Sequence, residues 1–149
     1  MPPAIRPLVT GDRQAWADLW RAYLAFYETV LPDEVYVSTW SRLLDVDEPT
    51  WGALALRDGQ PVGLVHWIYH RTNWAIADTC YLQDLFVAPD GRSQGHGRAL
   101  IEHVAAHARA HGSARVYWTT HRTNYAAMQL YDRLASESGF LQYRMPLTP

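Results

Sequence analysis

The apolar positions change period several times along the chain, and each change marks an element. Trp16, Leu19, Trp20, Tyr23, Leu24 and Tyr27 recur at helical spacing. With Thr10-Gly11-Asp12 as a cap ahead of them, they predict a helix over about 12–27. Residues 4–9, "AIRPLV", precede it as a short first strand, and Pro32-Asp33 opens a second, shorter helix reaching about Leu44. "DEPTWGALALRDGQPVGLVHWIYH" reads as two strands about Asp58-Gly59-Gln60, since Asp-Gly between apolar runs favours a hairpin. A further strand over 75–87, "AIADTCYLQDLFV", is stopped by Pro89. Then come a glycine-containing loop, a helix over about 95–111, a strand "ARVYWTTH", a helix "NYAAMQLYDRLA" and a last strand "GFLQYRMPL". The order β α α β β β α β α β predicts one compact α/β domain over 1–149.

The 149 residues are 48% hydrophobic and include seven Trp and nine Tyr, enough for a substantial core. The net charge of −2 offers no basic excess to neutralise a phosphate backbone, so no nucleic-acid partner is expected. All 13 basic residues are Arg, which excludes Schiff-base and phosphate-loop lysines. Cys80 is the single cysteine and permits no intrachain disulfide or cysteine zinc site. Nothing resembles a signal peptide or a span of about 18 apolar residues. A cytoplasmic protein without membrane contact is therefore expected.

The chemistry concentrates in "GRSQGHGRAL", Gly91–Leu100, between a strand and a helix. A helix N-terminus presents free N–H groups and the positive end of its dipole, which favour an anion. Gly95 and Gly97 let backbone approach a ligand closely, and Arg92 and Arg98 can add charge-assisted hydrogen bonds to phosphate oxygens. The nicotinamide fingerprint does not fit, because Leu100 takes its third glycine place and the loop lies late in the chain. Arg92-x-x-Gly95-x-Gly97 after "DLFVAPD" resembles the acetyl-CoA signature of the GCN5-related N-acetyltransferase (GNAT) family. The resemblance covers nearly the whole chain. "VYWTTHRTNYAAMQLYDRL" is similar to that family's next strand and helix, and "FYE", "YLQD" and "GF" are similar to motifs of its diamine, thialysine, amino-acid and histone-tail acetyltransferases.

The resemblance implies a central mixed, mostly antiparallel sheet flanked by helices, with splayed central strands. It implies acetyl-CoA as acyl donor, a small-molecule amine as acceptor, no metal, and a homodimer paired through late strands. It places the donor at the backbone of Leu85, Phe86 and Val87, along Arg92, Ser93, Gln94, Gly95, His96, Gly97 and Arg98, and at Asn124 and Met128. Asn124 is also the expected N-cap of its helix. Tyr131 becomes the acid that protonates the leaving thiolate, although its spacing alone reads as core. Asp84 and Glu28 are candidates to take the amine's proton. Tyr27, Glu28, Gln83 and Trp118 are candidate acceptor contacts. Gln83 and Ser138 replace two acidic residues of the diamine subgroup, which puts a long diamine acceptor in question. A catalytically inactive acyl-CoA-binding module is the alternative.

His103, His107 and His111 share one helix face, expected to be a solvated stripe opposite the core face of Leu100, Ile101, Val104 and Ala108. His96 is expected to be exposed by its place in the loop. His66, Trp67, Tyr69 and His70 can line an acceptor pocket or simply alternate between core and surface. Tyr27, Trp67, Trp74 and Trp118 can cage an ammonium, with core packing favoured for most of them.

Overall fold

The computed structural model describes residues 3–148. It divides into two compact units, Met1–Thr119 and Thr120–Pro149. The first holds a five-stranded sheet of β1 (Ala4–Pro7), β2 (Thr50–Arg57), β3 (Gln60–His70), β4 (Thr79–Val87) and β5 (Val116–Tyr117), ordered as in the chain. β1 to β4 pair antiparallel and β4–β5 pairs parallel. The hairpin at Asp58-Gly59 forms as its sequence demands, with φ of 50° and 78° at the two turn residues.

Helices α1 (Arg13–Phe26) and α2 (Asp33–Leu43) cover one face of the sheet. Trp16, Leu19, Trp20 and Leu24 of α1 and Trp40 and Leu43 of α2 pack there on Leu54, Leu64 and Phe86. α1 starts where Asp12 fixes the preceding turn. Its carboxylate accepts two bonds from the Arg6 guanidinium (2.7 and 2.8 Å) and one from the Val9 N–H (2.8 Å). The Arg6 hydrogen bond holds the Asp12 carboxyl below the usual carboxylate range. α3 (His96–His111) covers the opposite face with Leu100, Ile101, Val104 and Ala108 buried.

α3 departs from expectation in one respect. His103 and His107 are half-buried against the sheet, so the stripe is not a solvated one. His107 Nδ1 lies 2.6 Å from the Tyr69 hydroxyl and accepts a longer bond (3.3 Å) from the Trp67 indole, while His111 stacks on Tyr69 at 3.7 Å. The aromatic surface of β3 is wide enough to carry the helix beyond its aliphatic ridge. Burial pushes the imidazoles of both His103 and His107 below the ordinary histidine range.

Three strands are shorter than predicted, β1 by stopping at Pro7. β4 begins at Thr79, because residues 71–78 form an exposed connection with Trp74 84% and Ile76 100% exposed. β5 keeps only Val116 and Tyr117, paired with Cys80 and Tyr81, after which no strand among the described residues follows β4 on that side. The second unit contains α4 (Tyr125–Leu134). Residues 139–147, predicted as a last strand, belong to no strand among the described residues, and Phe140, Leu141, Tyr143, Met145 and Leu147 are exposed. The alternating pattern is present, but the ladder that would make it a strand is not. Among the described residues no helix is long and apolar enough to cross a membrane.

Candidate active site

β3 and β4 do not stay in simple register. His66 faces Asp84, but Trp67 faces Leu82, so Gln83 is the extra residue of a β-bulge. The bulge reverses the side-chain parity of β4. Leu82 and Cys80 pair with Trp67 and Tyr69 on the α3 face, while Asp84 and Phe86 pair with His66 and Leu64 on the α1 face. Were Gln83 an ordinary ladder residue, unbroken alternation would carry Asp84 to the face of Leu82 and Cys80, beneath α3. Gln83 itself is exposed.

The Asp84 carboxylate is 15% exposed and lies 2.9 Å from His66 Nδ1 through Oδ2. His66 is 3% exposed, and its Nε2 accepts a 2.8 Å bond from the Trp16 indole N–H. Phenols gather around the same carboxylate. Tyr23 of α1 bonds to it, and Tyr27, just past the helix end, lies near enough to feel its charge, with the two rings 5.2 Å apart. Tyr81 neighbours Tyr23 and stacks at 4.9 Å on Tyr117 of β5. Burial and the Asp84 charge raise the hydroxyls of Tyr23 and Tyr27, and burial with neighbouring Tyr81 raises that of Tyr117. Tyr23 and Tyr27 therefore stay protonated near neutrality and set donors and π faces beside the carboxylate, an arrangement that suits an ammonium. Tyr23, Tyr81, Tyr117, His66 and Trp16 were not singled out by sequence as a group. Their grouping depends on the bulge register and on the β5 contact.

Other predicted acceptor contacts are dispersed. Tyr27 is 43% exposed beside this cluster. Glu28 instead lines a surface pocket of about 480 Å³ with Arg21, Ala25, Thr29, Asp33 and Tyr36. Trp118 is half-buried just beyond β5. Trp67 is 1% exposed under α3 and Trp74 is 84% exposed, so these two are separated from the phenol cluster.

Beside Asp84, the backbone of Leu85–Val87 lies along the edge left open by the short β5. The strand then passes through a turn, Pro89–Gly91, into the glycine loop. Gly91 packs so tightly on Val62 that a Cβ there would lie 2.8 Å from the Val62 Cβ. Arg92 donates from Nε to the Val87 carbonyl (3.0 Å), and Arg98 from Nε to Glu102 (2.8 Å). Gly95 has φ 82°, Ser93 φ 65°, and no side chain caps α3. Ala99 N–H is bonded to Gly95 O (3.0 Å), so the amides of His96, Gly97 and Arg98 precede the helix's regular bonding. His96 contradicts its expected exposure. It is 4% exposed with its Nδ1 buried and unpartnered, because the left-handed Gly95 turns the chain and sends this side chain inward. An open strand edge leading into an uncapped helix N-terminus fits a ligand with an amide-bearing arm and a pyrophosphate.

In the second unit, Asn124 occupies the N-cap position of α4, yet its side chain bonds to Thr120 Oγ1 (3.3 Å) and does not cap the helix. Met128 and Tyr131 lie on α4, both half-buried.

The fold is thus a mixed α/β sheet whose edge beyond the short β5 runs into a glycine loop at a helix N-terminus. The sequence model of the acetyltransferase (GNAT) family matches residues 14–135, and the chain belongs to that family. It is an acyltransferase that uses acetyl-CoA as donor. Among its relatives, the D-amino-acid N-acetyltransferase HPA3 of Saccharomyces cerevisiae is 35% identical over 142 residues, covering 94% of this chain and 88% of that protein. A thialysine N-epsilon-acetyltransferase of Caenorhabditis elegans is 28% identical over 99 residues, 63% of this chain and 61% of its own length. The aminoglycoside acetyltransferase AAC(6')-Iy, solved with a bisubstrate analogue, superposes with a TM-score of 0.85 at 18% identity, covering 99% and 100% of the two chains.

Proposed function

We propose that this chain, working as one catalytic domain, acetylates the primary amine of a small acceptor: an amino acid, a polyamine-like molecule or a short peptide. The observation that carries the reading is the Asp84 carboxylate, turned by the bulge into a cluster of phenols beside the open edge of β4. Two relatives named for a D-amino acid and for thialysine support an amino-acid acceptor. Asp84 holds the acceptor ammonium and takes up its proton, while Tyr27, Glu28, Gln83 and Trp118 contact the rest of the acceptor. The donor, when bound, supplies the thioester that the amine attacks. Leu85, Phe86 and Val87 offer backbone groups to its arm, and an N–H of this strand stabilises the developing oxyanion. The segment Arg92–Arg98 holds the pyrophosphate through backbone amides, with Arg92 and Arg98 adding charge. Asn124 and Met128 contact the donor, and Tyr131 gives its proton to the leaving sulfur.

The measurement is release of CoA thiol from acetyl-CoA across D- and L-amino acids, thialysine, polyamines and short peptides. Turnover with at least one small amine is expected. Tight acetyl-CoA binding without release for any acceptor would instead make the chain a binding module.

A homodimer is part of the same reading. Leu141, Tyr143, Met145 and Leu147 alternate and are 69–91% exposed, a pattern that supports strand pairing with a second copy. Sedimentation at micromolar concentration should give twice the chain mass, and a monomer would contradict it.

A further inference from the structure

Indole N–H is a donor only, so the 2.8 Å contact from Trp16 Nε1 requires that His66 Nε2 be an unprotonated acceptor. The single proton of a neutral His66 must then sit on Nδ1, 2.9 Å from Asp84 Oδ2. Trp16 thus selects the tautomer that donates to Asp84. The opposite tautomer would put two N–H groups against each other at one end and a lone pair against a carboxylate at the other. The surroundings hold this order in place. His66 is 3% exposed, and Trp16 and Trp20 lie at 6.1 and 5.9 Å between ring centroids. Gly52 on β2 keeps the imidazole's flank open, since a Cβ there would come within 3.3 Å of His66 Cδ2 and 2.6 Å of Leu8. One carboxylate oxygen of Asp84 is occupied by His66, while the carboxylate also faces Tyr23 and Tyr27.

The geometry points to Trp16 and His66 as positioning residues for the acceptor site: Trp16 locks His66 as an Nδ1 donor, and His66 fixes the orientation of Asp84 toward the incoming ammonium. His66 itself is thereby removed from the set of proton acceptors for the amine, since its free nitrogen is filled by an indole N–H. This inference rests on Asp84 being the group that receives the acceptor.

Two readouts test it. In ¹⁵N spectra of the full chain at pH 7.5, His66 should show a protonated Nδ1 and a bare Nε2. Trp16→Phe should let that preference relax. Finding Nε2 protonated in the parent would overturn the lock. The kinetic arm compares His66→Leu with His66→Asn, whose amide can still donate near the Nδ1 position. His66→Leu should lower kcat/KM by roughly 30-fold and His66→Asn should recover about tenfold of that loss, the scale expected when a reacting group is misplaced. Leu and Asn variants of equal activity would reduce His66 to a packing residue and overturn the proposal. In the His66→Asn background, adding Trp16→Phe should cost less than about twofold beyond its effect on stability, because its route to Asp84 is gone. A full, independent Trp16 effect would contradict the relay. Asp84→Asn separates the two levels. If it leaves turnover intact, the Asp84 reading fails and the relay loses its catalytic meaning, whatever the spectra show. If turnover collapses while the parent's His66 carries its proton on Nε2, only the relay fails.

Discussion

Replacing Glu28 with glycine should make the protein more stable. α1 ends in a tight hydrogen-bonded turn: Tyr27 and Thr29 N–H both reach Leu24 O (3.0 and 2.9 Å), and Glu28 N–H reaches Ala25 O (2.9 Å). This closure needs a left-handed residue just past the helix, a place usually taken by glycine. Glu28 occupies it with φ 53°. A Cβ in that conformation costs about 1–2 kcal/mol, and the extra unfolded-state freedom of glycine returns about 0.5–1 kcal/mol of that. The net gain is about 0.5–1 kcal/mol, or a Tm rise of about 1–4 °C for a chain of this size. Glu28→Ala is the control, since it removes the carboxylate and keeps the strain. Thermal and urea unfolding of the two variants should rank Gly above both Ala and the parent. A Gly variant no more stable than the Ala variant would refute the strain argument. Glu28 faces a pocket with Arg21 and Asp33, so the proposed acceptor role predicts a higher KM for cationic acceptors in both variants. In the Gly variant, stability and acceptor affinity should therefore move in opposite directions, the pattern expected when strain is kept at a working residue.

Tyr131→Phe should lower kcat by roughly 10²–10⁴ with little change in acetyl-CoA binding; steady-state kinetics giving kcat within about twofold of the parent would defeat the general-acid role. His103 and His107 take up protons at lower pH in the folded chain than in the unfolded chain. Stability present above about pH 6.5, the ordinary histidine value, is thus lost as pH falls through the folded value. Urea midpoints between pH 7.5 and 5 should show this slope, and His107→Leu should flatten it. Gly63→Ala should destabilise by about 1–3 kcal/mol, because the new Cβ would lie 2.8 Å from the Phe86 carbonyl in the adjoining strand. An unchanged urea midpoint would contradict it.

The elements most legible in the sequence are those whose signals are local. α1 and α2 end within a residue or so of their predicted limits because their apolar periodicity lies inside the segments themselves. The hairpin at Asp58-Gly59 is legible for the same reason. The last strand was not, because a period-two pattern in 139–147 states a readiness to pair and says nothing about whether a partner exists within the chain. The histidine stripe was misread through a related gap. The helix pattern identified Leu100, Ile101, Val104 and Ala108 as the buried ridge, but how far burial spreads around α3 depends on Trp67 and Tyr69, which lie on another element.

The candidate site divides along the same line. The turn in the glycine loop was readable because a left-handed residue favours glycine, and Gly95 has φ 82°. Yet Gly95 also inverts the expected exposure of the next residue, His96, since one residue at positive φ redirects every bond vector after it. Asp84 was readable as a candidate, but its neighbours were not. Simple alternation along β4 would place Asp84 on the same face as Cys80 and Leu82, under α3 and away from Tyr23 and Tyr27. The one-residue bulge at Gln83 alters that parity and brings Asp84 to His66. The bulge is therefore the step at which sequence alternation stops predicting chemistry. The same polar residue, moved across the sheet by one unpaired position, changes from a buried liability into a carboxylate with a bonded imidazole and an open side toward phenols.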